Sequence, residues 1–143
     1  MLKDISRFLA SPPALSAIDF WVGIESRGFL FAAALTQRFN NGLVVIRKKG
    51  KLPPPTVEVH YTLEYGADTV QMHPGSGKVV LVDDVLGTGG TLRAAHDLCQ
   101  RAGYDVVGYF SLIDLTFLHG HQPLHIAGKK VHSVITYDEV NQK

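Results

Sequence analysis

The sequence predicts an α/β fold, a parallel β-sheet flanked by helices, and three observations carry that expectation. Short apolar runs alternate with segments of helical spacing along the chain. The clearest apolar run, Val79-Val80-Leu81-Val82, is continuous rather than alternating, which suits a strand buried on both faces. Charged residues and glycines gather just after the apolar runs, where open parallel sheets bind their ligands.

In chain order, residues 20–24 (FWVGI) read as a strand that ends at Glu25-Ser26-Arg27-Gly28. Residues 29–39 follow with helical spacing, and 43–47 (LVVIR) form the next strand. The charges and prolines of 48–55 read as loop. Residues 57–65 and 68–73 alternate around Gly66 and predict an antiparallel hairpin. So polar a hairpin is expected to lie outside the main sheet. Residues 78–83 form the buried strand, and Gly89-Gly90 leads into a helix over about 91–102, stopped by Gly103 at its C′ position. Residues 106–113 and 131–137 are further strands.

Composition narrows the function. A chain of 143 residues suits one domain, and 45% hydrophobic with 19% charged residues is enough to build a core. Fourteen Lys and Arg against thirteen Asp and Glu leave a formal charge of +1, which argues against a nucleic-acid partner. The one cysteine, Cys99, forms no internal disulfide and is expected as an inert core thiol. No apolar run nears the roughly 20 residues that span a bilayer. Met1-Leu2-Lys3-Asp4-Ile5 carries no signal-peptide core. A cytoplasmic protein that handles small molecules, with no membrane partner, is expected.

The strongest motif runs from the buried strand through Asp83-Asp84-Val85-Leu86-Gly87-Thr88-Gly89-Gly90-Thr91 into a helix. Gly87, Gly89 and Gly90 let backbone N–H groups come close to a ligand. Thr88 and Thr91 add hydroxyls, and the helix N-terminus adds partial positive charge: together, a site for a phosphate monoester. It is not a Walker A loop, because no Gly-Lys-Ser/Thr follows. Asp83 and Asp84 accept hydrogen bonds well, and a ribose diol offers two donors. Neighbours in a regular strand face opposite ways, so a bend is expected if both acids serve one ligand. A phosphorylated pentose fits the combination. Arg27 at the start of a helix is mildly unfavourable unless an anion shares the site. Arg47, Lys48 and Lys51 form a second basic cluster.

Asp-Asp followed by Thr88-Gly89-Gly90-Thr91 resembles the 5-phosphoribosyl-1-pyrophosphate (PRPP) motif of the type I phosphoribosyltransferases. Three further segments, Glu25 to Phe31 (ESRGFLF), Arg47 to Pro53 (RKKGKLP) and Tyr61 to Gly66 (YTLEYG), resemble the adenine phosphoribosyltransferase family. The likeness runs in order over about residues 22–134. It implies the type I phosphoribosyltransferase fold, with a flexible β-hairpin closing over the active site. The implied activity belongs to purine salvage: a glycosyltransferase moving the 5-phosphoribosyl group from PRPP to adenine, giving AMP and pyrophosphate. Asp83, Asp84, Gly87, Thr88, Gly89, Gly90 and Thr91 would hold the ribose and its phosphate. Ser26, Arg27, Arg47, Lys48 and Lys51 would hold pyrophosphate, with the Glu25–Ser26 peptide often cis. Arg27, Glu64 and Tyr65 are the implied catalytic residues. Tyr65 would cover the reacting centre, and Glu64 would handle a proton of adenine as acid, base or positioning group. Magnesium is implied as a cofactor bound mainly through PRPP, with no direct protein ligand, and a homodimer as the assembly.

Two alternatives stand beside this reading: a phosphoribosyltransferase for another purine, and a non-catalytic PRPP-binding regulatory protein. The family usually begins with a longer hood rich in Pro and Phe that supplies much of the adenine pocket. Leu2 to Ser6 resembles the segment after it, so a single domain over 1–143 with a shortened or missing hood is expected. His119, His121 and His125 lack Glu or Cys partners at ligand spacing and read as a solvent loop rather than a metal site. Phe20 and Trp21 are expected in the core. Phe29, Phe31 and Leu35 are expected on a helix face packed on the sheet or on a second subunit.

Overall fold

The computed structural model describes residues 18–63, 66–125 and 130–138. The strands are β1 (Phe20–Ile24), β2 (Gly42–Lys48), β3 (Val57–Leu63), β4 (Gly66–Met72), β5 (Gly77–Leu86), β6 (Tyr104–Leu115) and β7 (Lys130–Tyr137). The helices are α1 (Gly28–Phe39), α2 (Gly90–Ala102) and the five-residue α3 (His121–His125), with a 3-10 turn at Thr116–Leu118. Strand order in the sheet is β3-β4-β2-β1-β5-β6-β7. From β2 to β7 the neighbours are parallel.

Alternation along β5 explains how both faces are covered. Val79 and Leu81 join a core with Leu92, Leu98 and Cys99 of α2, while Val80 and Val82 join one with Ala32 and Leu35 of α1. All four β5 side chains are fully buried and together contribute roughly 6–12 kcal/mol, comparable to the net stability of a whole domain. Trp21 is also fully buried, and its indole N–H donates to Asn41 Oδ1 at 2.7 Å. Phe20 is half-buried and meets Tyr104 edge-on. On α1, Leu35 is buried and Phe29 and Phe31 are half-buried. Cys99 is buried, which pushes its thiol up to about 12 and leaves it inert.

The hairpin does not lie outside the sheet. β4 pairs antiparallel with the end of β2, through Arg47 with Gln71 and Lys48 with Val70. Val59, Val70 and Met72 are buried in the core under α2, so a few well-spaced apolar residues anchor an otherwise polar hairpin. The elements also run somewhat longer than the sequence suggests. β5 continues through both acids to Leu86, and α2 starts at Gly90. Gly103, at φ 109°, ends α2 as expected, and its N–H donates to Cys99 and Gln100 carbonyls.

β1 lies between β2 on one side and β5 on the other, so the sheet order reverses there. The crevice at the carboxyl ends of β1 and β5 is the switch point at which such sheets bind ligands. Close contact seals it: a Cβ on Gly28 would lie 2.6 Å from the Val82 carbonyl oxygen. Gly28→Ala is therefore expected to force α1 away from β5 and destabilise the fold by on the order of 1–3 kcal/mol, read as a lower urea midpoint.

Candidate active site

The acids open onto the crevice because β5 outruns its neighbour. The pairing of β1 with β5 ends at Gly23 with Val82, while β5 continues along β6 as far as Leu86 with Asp114. From Asp83 onward the β1 side of the strand is unpaired. Both acids line the same two adjoining cavities with the strand still regular, so no bend is needed. Asp83 Oδ1 accepts the Asp84 backbone N–H at 2.8 Å. Asp84 Oδ2 lies 2.8 Å from Arg27 Nε. Burial, with the neighbouring Asp84 carboxylate, pushes Asp83 up to about 7.

The first cavity, about 440 Å³, is floored by Gly87, Thr88, Gly89, Gly90 and Thr91. Gly89 precedes α2 with φ 87°, a left-handed conformation that suits glycine. It has a second reason to be glycine, which the sequence does not reveal. A Cβ there would lie 2.3 Å from the carbonyl oxygen of Gly120, so Gly89 serves packing as much as ligand approach. A Cβ on Gly87 would meet only Leu118, at 3.7 Å. Neither α1 nor α2 has a side-chain cap or an acid in its first turn. Their positive dipole ends therefore remain suited to an anion, although in α1 the Phe29 and Leu30 N–H groups already donate to the Ser26 and Arg27 carbonyls.

The second cavity, about 480 Å³, is lined by Ser26, Arg27, Lys48, Tyr61 and Asp68 and shares both acids with the first. The Glu25–Ser26 peptide is cis. Glu25 organises this side. Its Oε1 accepts from Arg47 Nε at 3.1 Å and from the Lys48 N–H at 3.2 Å, and its Oε2 accepts from Lys51 Nζ at 2.5 Å. Burial alone would raise the Glu25 carboxyl, but these hydrogen bonds outweigh it and hold the group below its ordinary value. Arg47 and Lys51 thus stand behind the cavity rather than in its lining, joined to it through Glu25. Lys48 Nζ pairs with Asp68 Oδ2 at 2.7 Å, which raises the lysine and lowers the carboxyl. Gln71 ties the basic loop to the hairpin, accepting from Gly50 N–H and donating to Glu58, each at 3.1 Å.

Sequence reading missed Tyr61, Leu63 and Asp68 as site residues. Leu63 lines both cavities, and the Tyr61 hydroxyl, pushed up chiefly by burial, is hydrogen-bonded to Thr91. Their alternation on β3 and β4 marks one face of a hairpin, but not which of these side chains line the cavities. Glu64, Tyr65 and residues 2–6 lie outside the described residues. Among the described residues no group of three His, Cys, Asp or Glu could hold a metal ion. His121 departs from the expected solvent loop: its Nε2 pairs with the buried Asp114 Oδ2. No helix among the described residues is long and apolar enough to cross a membrane.

Asp83 lends itself to a stability test. A carboxyl raised in the folded state binds more protons than its unfolded counterpart between about 4 and 7. Its contribution to stability is complete below the unfolded value and is lost as pH rises through about 7. Asp83→Asn, without added ligand, should melt higher than wild type at pH 8, and the gap should close toward pH 4. A pH-independent difference would contradict the assignment.

Residues 10–139 match the model of the phosphoribosyl transferase domain family. The adenine phosphoribosyltransferase of Bdellovibrio bacteriovorus is 47% identical over 136 residues, 95% of this chain and 81% of that protein. The crystal structure of adenine phosphoribosyltransferase from Rhodothermus marinus superposes with a TM-score of 0.83 at 43% identity, over 94% of this chain and 78% of that one. The Trypanosoma brucei enzyme, solved in complex with AMP, pyrophosphate and ribose-5-phosphate, superposes with a TM-score of 0.81 at 28% identity, over 98% of this chain and 64% of that one.

Proposed function

We propose, for a chain that belongs to the phosphoribosyltransferase family and to its adenine phosphoribosyltransferase branch, transfer of the 5-phosphoribosyl group from PRPP to adenine, with AMP and pyrophosphate as products. This is a purine-salvage reaction. One observation carries the reading: a glycine-lined anion cavity and a cation-rimmed cavity meet at a shared pair of carboxylates. PRPP has the same order of parts, with a 5-phosphate at one end, a diol in the middle and a diphosphate at the other.

In this reading Gly87, Thr88, Gly89, Gly90 and Thr91 take the 5-phosphate, and Asp83 and Asp84 accept from the ribose hydroxyls. Ser26, Arg27 and Lys48 receive the diphosphate, while Arg47 and Lys51 add positive charge from behind Glu25. At an effective dielectric near 20, a unit ion pair about 4 Å apart is worth roughly 4 kcal/mol before desolvation, so a multiply charged diphosphate competes well for these cations. Holding both ends of the donor fixes C1 between them. The C1–oxygen bond to diphosphate breaks as C1 gains oxocarbenium character, and adenine N9 bonds to C1. Charge grows on the departing oxygen, where Arg27 stabilises the transition state more than the ground state. Glu64 handles the adenine proton as acid, base or positioning group, and Tyr65 covers the centre against water.

Magnesium fits this donor set. Asp83 and Asp84 are too few to cage the ion but would hold it through its waters, as suits an ion carried mainly by PRPP. When bound, it neutralises charge on the diphosphate. The same reading includes a homodimer in the cytoplasm.

Pyrophosphate release from PRPP should occur with adenine and fall to background with hypoxanthine and guanine. Saturable PRPP binding with no release under any purine would overturn the assignment. Arg27→Ala should lower turnover by roughly 10²-fold, the scale of one lost transition-state donor, while ribose 5-phosphate affinity changes little. Equal losses in both would contradict the leaving-group role.

A further inference from the structure

Asp114, near the end of β6, is only 3% exposed. His121 Nε2 binds one of its carboxylate oxygens, and the other, Oδ1, is buried with no hydrogen-bond partner. A buried carboxylate is costly unless paired, so this contact is a strong tether for His121. His121 opens α3 directly after Gly120. The Gly120 backbone is wedged against the phosphate loop: a Cβ on Gly120 would lie 2.2 Å from the Gly87 carbonyl oxygen, and one on Gly89 would lie 2.3 Å from that of Gly120. Leu115 and Leu118, from the same stretch of chain, line the phosphate cavity. Arg93 Nη1 donates to the Pro123 carbonyl at 3.2 Å, and Leu124 is fully buried, so the far end of the segment is held down as well.

We propose that Asp114 and His121 are positioning residues for the 5-phosphate half of the site. Neither lines the two cavities described above; they act through Gly120. Their pair presses the Gly120 backbone onto Gly87 and Gly89, which sets the direction of the loop N–H groups that receive the phosphate. Glycines leave that loop free to take other conformations, so its geometry depends on an outer wall. The diphosphate half is built on β1, β2 and the hairpin, so the effect falls on one end of the donor. The proposal rests on the reading of the Gly87–Thr91 turn as the phosphate site.

Calorimetric titration with two probes, ribose 5-phosphate and inorganic pyrophosphate, tests both. His121→Ala should weaken ribose 5-phosphate by roughly tenfold, the scale of one charge-assisted hydrogen bond, and leave pyrophosphate within about twofold. His121→Arg keeps N–H donors facing Asp114 and should restore ribose 5-phosphate affinity. If the alanine variant does not stay folded, Asp114→Asn decides, since it keeps the volume and removes the charge. It should weaken ribose 5-phosphate several-fold and spare pyrophosphate. Unchanged ribose 5-phosphate affinity in folded variants, or parallel loss of both ligands, would overturn the proposal while the phosphate-loop assignment stands. Wild-type protein that binds pyrophosphate but not ribose 5-phosphate would remove that assignment and the proposal together.

Discussion

The site depends on one strand running past its neighbour. β5 is anchored by four fully buried aliphatic side chains, two in each core, so its register is tightly fixed. A shift of one residue would turn Val79 and Leu81 toward the wrong helix. With the register fixed, the place where β1 stops at Gly23 determines where the carboxylates emerge. Asp83 and Asp84 are the first residues beyond that edge. The glycine turn and α2 follow shortly after, so the glycine-lined cavity inherits its position from the core.

Charge on the other side is organised by acids rather than bases. Glu25 gathers Arg47, Lys51 and the Lys48 N–H, Asp68 holds Lys48, and Asp84 holds Arg27. Long basic side chains lose considerable rotamer entropy when ordered, and these carboxylates bear part of that cost before any ligand arrives. The Arg27–Asp84 pair also links the two cavities, since the cation expected at the leaving group contacts a carboxylate expected at the diol. The exposed pairs are individually weak, so a ligand of higher charge can exchange with them.

Packing of loop on loop completes the picture. The Gly87–Thr91 turn is closed on one side by Gly120, through backbone contacts too tight for any side chain, and on another by Tyr61 and Leu63 of the hairpin. In sequence the histidine segment reads as a solvent loop and the polar hairpin as lying outside the main sheet. Asp114 and the buried Val59, Val70 and Met72 tie them to the core.

The strands, the two long helices and the Asp83-to-Thr91 motif could be read from the chain, because each expresses a short-range pattern: apolar runs, helical spacing, and glycines between a strand and a helix. The basic cluster at Arg47, Lys48 and Lys51 was legible as well, since its members are neighbours in sequence. What escaped, beyond the shared PRPP site that the family resemblance implied, was how distant segments touch. The hydrogen bonds of Glu25 reach across 22 to 26 residues, the hairpin joins the sheet through two register pairs, and Gly89 meets Gly120. The sequence by itself determined the elements and the chemical character of each loop, because backbone propensity and side-chain chemistry are local. Only the tertiary structure decided which loops share a cavity and which carboxylate holds which cation, because that depends on where strands end relative to one another in the sheet.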